Sequence, residues 1–178
     1  MTRRSRCARL AAGLLTLAAF ACANPPVSVF TSLREAECQS PAADVKAKFD
    51  ASDLGVQQCG GVDGWRVLYV SSDAHSWIEL RSASTAWSAE DAVIYERPIG
   101  LFPGVSSETP LEWRVDPSRG PTALLVTVTA QNKDDAEGRV SEIYVVRIAG
   151  EKACLIGREA STSAARSLAD GPAACPAS

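Results

Sequence analysis

The chain has 178 residues, 46% of them apolar, enough for one domain with a real core. Its 18 Lys and Arg against 21 Asp and Glu give a net charge of −3, which supplies no basic footprint for nucleic acid or for an anionic lipid surface. Beyond residue 23 no run approaches the roughly 20 apolar residues of a membrane helix, so no transmembrane span is predicted.

Arg3, Arg4, Arg6 and Arg9 precede an uncharged, mostly apolar run over residues 10–20, and Ala21-Cys22-Ala23 supplies small residues. This is the pattern of a secretory signal peptide over 1–23 and predicts a periplasmic or secreted protein. Cys22 admits a second reading as a lipidated cysteine that anchors the chain, although Ala19 and Phe20 fit that signal less well than cleavage after Ala23. Removing residues 1–23 takes away four arginines and no acid, leaving 14 basic against 21 acidic side chains, a net charge of −7. Residues 24–34, with Pro25-Pro26, read as an extended leader and first strand, and 35–178 as a single disulfide-stabilised domain.

Four cysteines remain in that domain. In an exported chain they predict two disulfides. The spacing favours Cys38–Cys59 and Cys154–Cys175, each spanning 21 positions, and each bridge is worth roughly 3 kcal/mol by loop entropy. No CxxC is present and there is one histidine, so no metal site and no cofactor is expected.

Residues 27–33 are β-rich. Residues 42–49 read either as a helical turn or as an insertion within the first cysteine loop. Gly60-Gly61 and Gly64 mark turns. Residues 65–70 form a strand apolar on both faces, hence central, and 77–80 a second. Residues 84–107 are the least regular stretch, with a brief β-like Val93-Ile94-Tyr95 and the turn makers Pro98, Gly100, Pro103 and Gly104; so long a loop suggests function. Leu111, Trp113 and Val115 alternate with Glu112, Arg114 and Asp116, the pattern of a half-buried strand. Strands over 122–130, 139–148 and 153–156 follow, joined by short turns as in an antiparallel meander. Ser161 or Ser163 caps a short helix ending near Ala169. The fold class is α+β: a predominantly antiparallel sheet of about six to eight strands with a short C-terminal helix.

Several motifs fall in a particular order. They are Ser28-Val29-Phe30-Thr31-Ser32-Leu33 before Cys38, Cys59-Gly60-Gly61, a strand ending at Asp73, Glu112-Trp113-Arg114, Cys154-Leu155-Ile156-Gly157, and Ala165-Arg166-Ser167-Leu168-Ala169-Asp170 before Cys175. In this order the chain resembles a family of uncharacterised exported alphaproteobacterial proteins, with no known activity. That family carries Asp-Leu-Arg where this chain has Asp73-Ala74-His75. The resemblance implies fold and compartment only.

No catalytic residues stand out. His75 neighbours Asp73 and Ser76, but adjacent strand residues point to opposite faces and rarely form a triad. Glu90-Asp91 and Asp134-Asp135 are adjacent pairs, whereas a glycosidase needs carboxylates facing across a cleft. Trp87, in the irregular stretch, and Glu112 and Arg114, on one strand face, are the expected binding surface. The sequence therefore points to an exported non-catalytic domain that binds a protein or envelope component. A hydrolase with carboxylates assembled by the fold, and a structural envelope protein, are the alternatives.

Overall fold

A computed structural model describes residues 24–135 and 137–176. Residues 1–23, read above as a signal peptide, and with them Cys22, lie outside the described residues. Among the described residues ten strands form one curled, mostly antiparallel sheet, more than the six to eight expected. They are β1 (Val27–Thr31), β2 (Gly55–Cys59), β3 (Arg66–Ser71), β4 (Ser76–Arg81), β5 (Ala86–Ser88), β6 (Leu101–Val105), β7 (Leu111–Asp116), β8 (Gly120–Gln131), β9 (Arg139–Ala149) and β10 (Lys152–Glu159). The helices are α1 (Ala43–Asp50) and α2 (Thr162–Asp170).

The long strand β8 organises the sheet. One edge pairs with β9 along its length; the other is shared by β7 over its first half and β6 over its second. Apolar side chains cover both its faces. Leu124, Val126 and Val128 point into the main core with Trp113, Tyr144 and Val146. Ala123 and Leu125 point the other way, onto Val145 of β9 and Ala165 and Ala169 of α2. Small residues there let the helix approach closely; a Cβ on Gly157 would lie 2.6 Å from Leu168 Cδ2.

Strands β2, β3 and β4 form the other half of the sheet and add Val67, Val70, Trp77 and Leu80 to the same core. Strand β4 joins the C-terminal half through a single parallel pairing, Ser76 with Gly104 of β6. Gly104 suits this close contact: a Cβ there would sit 2.6 Å from Ser76 Oγ and 3.3 Å from Ser76 N. Both disulfides form as the spacing predicted. Cys38–Cys59 ties the segment after β1 to β2, and Cys154–Cys175 ties β10 to the chain beyond α2.

One local reading needs correction. Residues 93–95 are not β-like: Asp91–Glu96 form a single wide helical turn. Locally Val93 N–H donates to Ala89 O, and the tertiary support comes from Arg158 of β10 and the Tyr144 hydroxyl, which both donate to the Ala92 carbonyl. Of the two readings of residues 42–49, the helical one holds: they lie in α1 (Ala43–Asp50) and its cap, and the helix buries only Phe49. Elsewhere α2 starts as read, with Ser161 Oγ accepting from Ala164 N at 3.3 Å.

Candidate functional site

Glu112 and Arg114 share a strand face, as alternation requires, but that face is covered. Glu112 is 5% and Arg114 8% exposed. Helix α2 lies across them. Arg166 grips Glu112 with Nε–Oε1 at 2.7 Å and Nη2–Oε2 at 3.0 Å. Arg114 grips Asp170 with Nε–Oδ1 at 2.9 Å and Nη2–Oδ2 at 2.7 Å. Ser28 of β1 completes the cluster, donating to Glu112 Oε1 and accepting from Arg114 Nη1, both at 2.5 Å. The spacing explains the double pairing. Two residues along a strand span about 6.6 Å and four along a helix about 6 Å, so positions 112 and 114 match 166 and 170. Burial pushes the Glu112 carboxyl up, but hydrogen bonds from Arg166 and Ser28 and the two guanidinium charges outweigh it and hold it below its ordinary value. These side chains clamp α2 and β1 to β7. As recognition groups they are not free, which corrects the expectation placed on them.

Trp87 is half-buried on β5, opposite Leu80 of β4. It lines a groove of about 890 Å³ bounded by the wide helical turn, residues 97–99, β9 and β10. The groove exists because the curled sheet brings β5 against β10, where Thr85 Oγ1 donates to the Glu151 carbonyl. Cys154 forms part of its wall, so one disulfide braces it. Arg158 fixes the opposite side. Its Nη1 donates to Arg97 O at 2.5 Å and its Nη2 to Ala92 O at 2.7 Å, while its guanidinium lies 4.4 Å from the centre of the Tyr144 ring. Asp91, Glu96 and Glu142 bring three carboxylates to the lining, with Arg97 as a further cation. Just outside, burial and then the charges of Asp91 and Glu79 push the Glu90 carboxyl above its ordinary value.

The remaining sequence candidates lie apart. His75 lines a different, smaller pocket at the β3–β4 turn. Asp134 and Asp135 sit in the β8–β9 loop, where Asp135 accepts from Glu137 N. Among the described residues no three His, Cys, Asp or Glu side chains group as metal ligands would. Sequence reasoning missed Arg158, which carries no motif of its own and follows the Cys154-Leu155-Ile156-Gly157 run.

The chain matches no protein-family model, no curated protein and no solved structure.

Proposed function

We propose that this is an exported, non-catalytic domain that binds a protein or envelope component through the Trp87 groove. The observation that carries the reading is the groove itself. It presents one aromatic and three carboxylates on walls held by a disulfide and by Arg158. A preformed concave surface with an aromatic anchor and a charged rim is the usual anatomy of a binding site. Two polar side chains behind the groove wall are engaged structurally: Arg158 holds backbone carbonyls, and the Tyr144 hydroxyl donates to Ala92 O at 3.4 Å. The acidic balance of the chain suits a partner with a basic contact surface. Membership of the exported family, and soluble release after Ala23 with lipidation at Cys22 as the alternative, belong to the same proposal.

Affinity capture from envelope extract tests it. Saturable capture of one partner, lost on Trp87→Ala and Glu142→Lys and retained on Lys133→Ala, is expected. Absence of any saturable partner, or capture indifferent to the groove variants, contradicts it. The three groove carboxylates favour a second reading, a fold-assembled hydrolase. That reading requires turnover of an envelope polymer, lost on Asp91→Asn or Glu142→Gln.

A further inference from the structure

Phe102 is the residue whose backbone and exposure are least explained by folding. Its φ is +51°, a left-handed conformation that is rare for a bulky side chain. Its ring is 62% exposed. The other two non-glycine residues with positive φ are Asp53 and Asp63, a residue type that tolerates the conformation in turns. Strain at an exposed aromatic contributes nothing to the core, and strained backbone collects at functional sites.

The cause of the strain is the bulge between Leu101 and Gly104, where β6 loses register with β8. The bulge pushes Phe102 outward beside the β3–β4 turn. Both sides are pinned. Ser72 N–H donates to His75 O at 2.9 Å, His75 N–H to Ser72 Oγ at 3.2 Å, and Ser76 Oγ to Val105 O at 3.1 Å. The ring of His75 stands 6.4 Å from that of Phe102, tilted by 49°. Between them opens a pocket of about 250 Å³ that also touches Tyr69, Asp73 and Thr129. The side-chain polar groups of Tyr69, Asp73, His75 and Thr129 hydrogen-bond no other described residue.

We propose that this pocket is a saccharide subsite, with Phe102 as the stacking platform. The face of an aromatic ring is electronegative and attracts weakly positive C–H groups, which a pyranose presents on one face. Its hydroxyls both donate and accept. The surrounding polar groups match: a carboxylate that accepts, an imidazole, and phenol and threonine hydroxyls that do both. An apolar peptide side chain would leave them unanswered, and the pocket is below the roughly 300–1,000 Å³ of sites for larger ligands. The proposal goes beyond the groove reading, for the two pockets share no residue.

A glycan array carrying bacterial envelope and neutral oligosaccharides, probed with the full mature chain, tests it. Saturable binding to at least one glycan is expected. Phe102→Gly, which suits the positive φ, should leave the melting temperature equal or higher and weaken binding by about tenfold or more. Phe102→Trp should retain binding, and Asp73→Asn should reduce it. Binding to no glycan, or glycan binding unchanged in Phe102→Gly, overturns the proposal. Partner capture through Trp87 should be unaffected by Phe102→Gly, so each proposal can fail without the other.

Discussion

Arg114→Ala should be the most damaging polar substitution in the molecule. The guanidinium is 9% exposed and makes two hydrogen bonds to Asp170, one to Ser28 and one to the Pro26 carbonyl. Removing one partner of a buried pair costs about 3–5 kcal/mol, because the other charge is left uncompensated. Asp170 is 31% exposed and can regain water, and Glu112 keeps Arg166 and Ser28. These push the expected loss to about 3 kcal/mol, or a fall in Tm of about 6–12 °C for a domain of this size. Denaturant unfolding with disulfides intact, followed by tryptophan fluorescence and far-UV circular dichroism, reads it. The double variant Arg114→Ala, Asp170→Asn should recover part of the loss, giving a coupling of about 1 kcal/mol or more. A single-variant loss below about 1 kcal/mol, or additive behaviour, would refute the clamp between β7 and α2.

Hydrogen bonds from the Ser118 hydroxyl and N–H, then from Arg119, hold the Asp116 carboxyl at about 2, against burial and below its ordinary 3.8. A depressed pKa contributes stability that is present above the unfolded value and lost as pH falls through the folded one. Stability should therefore decline from about pH 4 towards pH 2, and Asp116→Asn should flatten that branch in acid titrations of Tm. Non-reducing intact mass should show all four described cysteines oxidised, and reduction should lower stability by roughly 3 kcal/mol per bridge; free thiols in the natively purified chain would refute the pairing. Phe102→Gly relieves about 1–2 kcal/mol of left-handed strain against a glycine entropy cost of about 0.5–1 kcal/mol. The denaturant midpoint should hold or rise, and a clear fall would show that the ring packs.

Sequence pattern revealed most of what local chemistry controls. Strands β8 and β9 were legible because Leu124, Val126, Val128, Tyr144 and Val146 carry a period of two over long stretches. The α2 cap at Ser161 and the equal spans of the cysteines were legible for similar reasons. Strand β7 was legible as a strand and misleading as a surface. Its alternation of Glu112 and Arg114 with Leu111 and Trp113 is that of a half-exposed strand, yet α2 brings complementary charges from more than 50 residues away. That match between strand and helix spacing has no local signature. Val93-Ile94-Tyr95 has β-favouring composition, but Arg158 and Tyr144 hold a helical turn there, a tertiary override of propensity. Strand β6 was hidden by Pro103 and Gly104, which read as turn formers and in fact belong to a bulge. The groove beside Trp87 could be anticipated only as an irregular stretch, because its far wall comes from β10.

The central claim is that the Trp87 groove is where this chain meets its partner. Site-specific photocrosslinking in intact cells tests it most directly, with the crosslinker at Ile156 in the groove and, as control, at Lys133 in the remote β8–β9 loop. One discrete crosslinked species at 156, absent at 133 and abolished by Trp87→Ala, is the predicted result. Equal crosslinking at both positions, or a species at 156 that persists in Trp87→Ala, would contradict it.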